Sequence, residues 1–441
     1  MTHGPGDNAA KRTGRAYAIL RFRDYRLLWS AEIISALGTQ IQRVAVAWQV
    51  FELTGDPLQL GLLGLCRFVP ILIFGLAGGV MADRSDRRRT LVTSQLALLA
   101  ISAILAALTL AGNAHLLVIY LVTIVGAIFS AVAVPTRQAL VPLLVPRQEM
   151  AGAMTMNILG SQVSAVAGPA IGGLIISQWG LAAAYGLDAL TFVAVIVAVL
   201  AMRARPEPPV RMLGGWGAAL EGLRFLRQSP ILLGIMSVDF VATFFGASTV
   251  LMPIFATEIL GVGPSGLGVL LAAPAAGAVA GSAIMSVARL PAWPGRGVLI
   301  AVATYGACML GFGLSQTFLI SILFLIGSGA ADAVSMALRH TMRNLATPDA
   351  LRGRVAAAHT TFAAGGPQLG EFEAGAVAAL VGAGQSVTLG GAGTIIAAML
   401  VAWRVPAIAS YQTMKEAPAA LSPREAIELQ REQQREDAAV P

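Results

Sequence analysis

The sequence predicts an all-α integral membrane protein with twelve transmembrane helices in two pseudo-symmetric six-helix bundles. Three observations carry that expectation: an apolar composition, a recurrence of hydrophobic stretches of bilayer length, and a sorting of basic residues between alternate connections. Of 441 residues, 56% are hydrophobic and only 12% are charged, with a mean hydropathy of +0.74. A soluble chain of this length needs a more charged surface.

A helix crosses the hydrocarbon core in roughly 20 residues. Residues 1–26 are polar and basic, carry six Lys or Arg, and lack the apolar core of a signal peptide, so they read as a cytoplasmic tail. Spans over 27–52 and 58–81 follow, then a loop with four arginines. Spans over 116–135 and, before it, 91–111 lead to a loop with two, and 153–177 and 182–202 lead to a long central loop, 203–230, with five. The second half runs 231–258 and 265–288, a loop with two, 297–314 and 318–338, a loop with four, then 355–381 and 386–405, and a C-terminal segment with five whose tail is 406–441. With Arg404, at the inner end of the last span, counted with the tail, these inner segments hold 28 of the 30 Lys and Arg, the outer loops hold none, and the other two, Arg43 and Arg67, fall well inside spans. This is the positive-inside pattern; it puts both termini in the cytoplasm and the formal charge of +7 at a lipid surface rather than on nucleic acid.

The halves align with each other. An offset of 202 superposes Arg137 on Arg339, Pro146 on Pro348, Gly168 on Gly370 and Gly173 on Gly375. Nearer the start of each half an offset of 206 or 207 superposes Glu52 on Glu258, Pro57 on Pro264 and Gly61 on Gly268. Parallel six-helix repeats joined by a long inner loop describe a large class of secondary transporters.

Two motifs carry a family resemblance. Between the second and third spans stand Gly79, Asp83, Arg84, Arg87, Arg88 and Arg89, with Asp86 amid them. In the fifth span "SAVAGPAIGG" provides Gly168, Pro169, Gly172 and Gly173 behind Ser164. On these residues the chain resembles the major facilitator superfamily, and more narrowly its enterobactin-exporter-like branch of drug:proton antiporters, over about residues 20 to 408. "RQALVPLLVPRQEMAGAM" and the eleventh span point to the same branch. The first motif departs from the family pattern, which has glycine where Asp86 stands. The resemblance implies that this motif is a cytoplasmic gate that latches the two halves, and that the fifth-span motif marks an exporter. Read from chemistry alone, the arginines are either topology determinants or latch partners of Asp83, and glycines four apart with a proline give close helix packing with a bend.

Charged groups inside spans cost at least about 2.5 to 3.5 kcal/mol at mid-bilayer unless they face partners or water. Glu32, Asp239, Glu371, Glu373, Asp188 and Asp332 are therefore the proton-coupling candidates, ranked Glu32, Asp239, Glu371; the alternative for each is a structural carboxylate paired with an arginine such as Arg43 or Arg67. Glu32, Ser35, Thr39 and Arg43 recur at i, i+3, i+7 and i+11 and form one polar stripe, expected to line a substrate cavity along with Arg67 and Thr243. Asp239 follows Glu32 by the repeat offset of 207. Glu371 and Glu373, two apart, cannot face the same cavity. One proton crossing about 100 mV supplies about 2.3 kcal/mol, and each pH unit adds about 1.4 kcal/mol.

Other chemistry is not encoded. Cys66 and Cys308 lie within spans and suggest neither a disulfide framework nor a metal site; the four histidines lack HExxH spacing; no GxSxG elbow appears; and the two lysines, Lys11 and Lys415, build no phosphate-binding loop. No enzyme activity, cofactor or metal is expected, and the partners are a small-molecule substrate, protons and the bilayer, with the protein a monomer. The expected function is proton-coupled export of a siderophore-like or drug-like amphiphile, with import or uniport on the same fold, or a non-transporting membrane protein, as alternatives. The preference for arginine over lysine, 28 to 2, is that of a high-GC bacterium and points to its inner membrane. "SPREAIELQREQQRED" reads as a short soluble helix opened by a capping box.

Overall fold

A short helical turn, Ile19–Arg21, leads into helix α1, Arg23–Thr54, which ends because Gly55 adopts left-handed angles (φ 61°) and returns its N–H to the carbonyl of Phe51. The computed structural model describes residues 19–84, 86–204, 229–288, 291–347 and 352–411, with the backbone alone over 75–84 and 352–364. Most of the expected N-terminal tail and central loop, the C-terminal tail beyond Tyr411 and the short helix expected there lie outside these residues. Pro57 opens α2, Pro57–Arg84, and the Asp56 carboxylate accepts the N–H of Leu58 at 2.9 Å.

Asp86, the residue that departs from the family pattern, caps α3, Arg87–Leu110: its Oδ1 accepts the N–H groups of Arg88 at 2.9 Å and Arg89 at 3.3 Å. Helix α4 is Leu116–Leu144. The helical run Met150–Ala201 holds two helices, α5 and α6, which meet at Gly180, where φ is 78° and ψ is 178°. The backbone keeps helical angles through Pro169, and Gly180 makes the turn between the two expected spans.

In the second half α7 is Pro230–Phe245, followed by short irregular turns through Ile259; α8 is Gly263–Val287, α9 Pro294–Leu314, α10 Phe318–Ala346, α11 Arg352–Val381 and α12 Ala383–Arg404, with a last short helix, Pro406–Ala409. The span expected over 231–258 is therefore interrupted. Tyr305 donates its hydroxyl to the carbonyl of Gly246 at 2.9 Å, and the helix stops there although the hydropathy continues. Helices α4 and α10 run well past the expected ends at 135 and 338, because hydropathy marks where lipid stops and says nothing about where helical hydrogen bonding stops.

Among the described residues nine helical stretches are long and apolar enough to cross a membrane, one of them containing both α5 and α6. Helix α1, which carries Glu32 and Arg43, is long but misses this standard. Packing repeats between halves: α1 on α5 matches α7 on α11, α2 on α4 matches α8 on α10, and α3 on α6 matches α9 on α12. The halves meet through α2 on α11 and α5 on α8, a pair of contacts exchanged by the same pseudo-twofold relation.

The apolar core follows this division. One cluster joins both halves at the helix ends remote from the arginine-bearing connections, and includes Leu60, Leu63, Ile175, Leu267, Phe312 and Ala374. At the other ends the described residues form separate clusters: one around Tyr25, Leu140 and Val195, the other around Ile235, Val302 and Met342. Glycines allow the joint. A Cβ on Gly61 would lie 3.0 Å from the Gly375 Cα, and one on Gly173 2.9 Å from the Gly268 Cα, so backbone lies on backbone at both crossings.

Candidate substrate cavity and membrane-buried charges

A cavity of about 470 Å³ opens among α1, α2, α3, α4 and α6, with Gln368 of α11 as its contribution from the second half. Thr39 and Arg43 of the α1 stripe line it, as does Arg67 of α2; Ser35 is buried beside it and does not line it. Thr243, expected in the lining, instead donates to the Asp239 carbonyl at 2.8 Å and abuts Gly366 of α11. Helices α3 and α4 supply apolar lining through Leu98, Ile101, Val122 and Val134, with Thr123, Ser130 and Gln138 of α4 as polar members of the same wall. Among the described residues the lining is thus one-sided rather than shared equally between the halves.

Glu32 and Asp239 occupy equivalent places. Arg137 Nε stands 3.2 Å from Glu32 Oε1, and Arg339 Nη2 stands 3.0 Å from Asp239 Oδ1 and 3.4 Å from Asp332 Oδ1. The offset that superposes the acids is 207 and that which superposes the arginines is 202, so one ion pair between the first and fourth helices occurs in each half. These arginines were expected in loops, just beyond spans ending at 135 and 338; the longer helices carry them inward to the acids. The signal that could have identified them was present in the two offsets taken together. Neither acid pairs with Arg43 or Arg67.

Glu371 does pair with Arg67, at 3.4 Å, and its other oxygen accepts the Thr249 hydroxyl at 3.3 Å. Glu373 forms no ion pair among the described residues and, two positions on, turns from Arg67. Asp188 is fully buried in the first half without an ion pair. Its Oδ2 accepts the Ser102 hydroxyl at 2.6 Å, Ser102 accepts from Gln42 Nε2 at 2.7 Å, and Gln42 lines the cavity, so a polar chain runs from cavity to buried carboxyl. Sequence reading missed Gln42, Ser102 and Gln368, uncharged residues with no motif to mark them.

The gate residues are divided. Gly79, Asp83 and Arg84 fall in the last turns of α2, and their side chains lie outside the described residues. Arg87 donates to the Ala139 carbonyl at 3.1 Å and Arg88 to the Leu200 carbonyl at 2.6 Å. Both hold the C-terminal stretches of helices in their own half, where the helix dipole is negative, rather than reaching the facing half. In the fifth-span motif Gly168 and Gly172 are pressed on α1 at Gln40 and Ile41, whereas Gly173 is pressed on Gly268 of α8, and the Pro169 carbonyl meets the same glycine. The motif therefore serves one packing contact within a half and one between halves.

Known proteins resemble the chain in sequence and in fold. Enterobactin exporter EntS of Citrobacter koseri is 28% identical over 384 residues, covering 86% of this chain and 90% of that one. EntS of Escherichia coli is 29% identical with the same coverage. A bacterial homologue of the human lysosomal transporter Spinster, solved inward-facing and unoccupied, superposes with a TM-score of 0.69 over 90% of this chain and 98% of its own at 17% identity. A POT family transporter in complex with a thioalcohol-conjugated peptide gives 0.70 over 88% and 96% at 11% identity, and both likenesses bear on fold alone. The family model described as transmembrane secretion effector matches residues 14–438. The chain is a membrane efflux transporter, not an enzyme, and it belongs to the transmembrane secretion effector family of the major facilitator superfamily.

Proposed function

We propose that the protein exports a small organic amphiphile, siderophore-like or drug-like, by proton antiport and alternating access, as a monomer in a bacterial inner membrane with both termini cytoplasmic. The moving units are 27–202 and 231–405, linked by the loop 203–230 and flanked by cytoplasmic tails at 1–26 and 406–441. The observation that carries the reading is the partition of the apolar core among the described residues: one cluster shared by both halves at one set of helix ends and two unshared clusters at the other. With the arginine-rich ends inside, this is the arrangement of a transporter sealed outward and parted inward. Closing the inner ends would merge the two separate clusters while parting the glycine crossings, Gly61 with Gly375 and Gly173 with Gly268.

Coupling is assigned first to Glu32 and Asp239. A proton on Glu32 removes the charge paired with Arg137, and a proton on Asp239 removes one of the two paired with Arg339, the one that ties the first helix of that half to the fourth. Similarity to enterobactin exporters makes enterobactin the first substrate to try. The full chain reconstituted in vesicles with a trapped pH indicator is expected to move protons against enterobactin, and Glu32→Gln to abolish that movement while the protein still purifies as a folded species. Enterobactin flux that is the same with and without a proton gradient would sink the antiport reading.

A further inference from the structure

We propose that the cavity selects an amphiphilic organic anion, whose acidic head is held at Arg43 and whose apolar body lies against α3 and α4. The proposal rests on the transport reading above and names the substrate class of the same site. Among the described residues two cations, Arg43 and Arg67, line the cavity, and no carboxylate does. Glu371 stands behind the lining with its two oxygens committed, one to Arg67 at 3.4 Å and the other to Thr249 at 3.3 Å.

Arg43 has a different environment. Its side chain is exposed, and its hydrogen bond goes to a neutral group, Gln40 Oε1, at 3.2 Å. Arg67 and Glu371 both lie within electrostatic reach of it, so the cluster comprises two cations and one anion. A guanidinium in a partly dry cavity binds carboxylate, sulfonate or phenolate oxygens through paired N–H donors, and repels a cationic head. In the same cavity Leu98, Ile101, Val122 and Val134 offer an apolar bed, which fixes the second requirement on the substrate. Gln368 adds a buried carbonyl oxygen with no hydrogen-bond partner among the described residues, an acceptor for a hydroxyl on the bound molecule. An anion leaving the cell also moves down an inside-negative potential, whereas a cation leaves against it.

The test is equilibrium binding to the full chain in lipid nanodiscs, without a pH gradient, of two xanthene dyes of opposite charge: carboxyfluorescein and tetramethylrhodamine methyl ester. Fluorescence anisotropy is read against empty discs. The anionic dye is expected to bind at least about tenfold more tightly than the cationic one, Arg43→Gln to weaken it by about tenfold or more, and Arg43→Lys, which keeps the charge but loses the paired donors, to weaken it less than Arg43→Gln. Should Arg43→Gln not fold, Leu98→Trp, which fills the apolar bed, is expected to weaken the anionic dye to a similar extent. Equal or tighter binding of the cationic dye, no binding of either, or unchanged affinity for the anionic dye in folded Arg43→Gln would overturn the proposal. Because no gradient is applied, anion-selective binding in a protein that moves no protons would speak against the coupling reading while supporting this one.

Discussion

Replacing the helix-four arginine in each half gives a quantitative comparison, because the same ion pair sits in two environments. Arg137 is 32% exposed and holds one acid, Glu32, at 3.2 Å. Arg339 is 5% exposed and holds two, Asp239 at 3.0 Å and Asp332 at 3.4 Å. Coulomb's law at about 3.2 Å gives about 1.3 kcal/mol at the permittivity of water and about 5 kcal/mol at an effective value near 20. The exposure of Arg137 puts its pair toward the lower figure, so Arg137→Gln is expected to cost about 2 kcal/mol. Arg339→Gln strands two carboxylates, and breaking a buried pair from one side costs about 3 to 5 kcal/mol. The assay is thermal unfolding of the purified protein in detergent, with the cycle Glu32→Gln, Arg137→Gln and the double variant run beside it. The double variant should recover most of the loss caused by Arg137→Gln, since it leaves no unpaired charge. If Arg137→Gln is the more damaging of the two, or if the losses in the cycle simply add, the pairing argument is wrong.

Other predictions follow from particular contacts. Gly173→Leu puts a side chain where even a Cβ would lie 2.9 Å from the Gly268 Cα; in a background with Cys66 and Cys308 replaced by serine, Thr39→Cys should then become more reactive toward an impermeant thiol reagent added outside, and unchanged labelling would refute an outer seal at this crossing. Asp86→Ala removes the acceptor for two N–H groups at the start of α3 and should cost about 1 kcal/mol in unfolding, while Asp86→Gly, the family's usual residue, should cost only about a few tenths. Ser102→Ala deprives Asp188 of its 2.6 Å donor and Gln42 of its acceptor, and should lower stability by about 1 to 3 kcal/mol, read by the same thermal assay. If a monoanion leaves as one proton enters, two charges cross, so vesicle transport should respond to a potassium–valinomycin potential with no pH gradient, the driving force being about 4.6 kcal/mol per 100 mV.

The amino-acid sequence alone determined the architecture. Bilayer crossing is a one-dimensional property, set by the length and polarity of each stretch, and a duplicated chain shows its repeat as an offset that Gly61 with Gly268 and Gly173 with Gly375 already reveal. That those four glycines meet crosswise, Gly61 on Gly375 and Gly173 on Gly268, was decided in three dimensions. So was the choice of partners for the embedded acids: Glu32 and Asp239 took Arg137 and Arg339, which hydropathy had left in loops, and Glu371 took Arg67. The tertiary structure also placed Thr39 and Arg43 in the cavity while leaving Ser35 and Thr243 out of it. The physical reason is rotation. Each residue advances a helix by about 100°, so a shift too small to alter any hydropathy window turns a side chain from a cavity to a neighbouring helix, and only the packing of all twelve helices together fixes that angle.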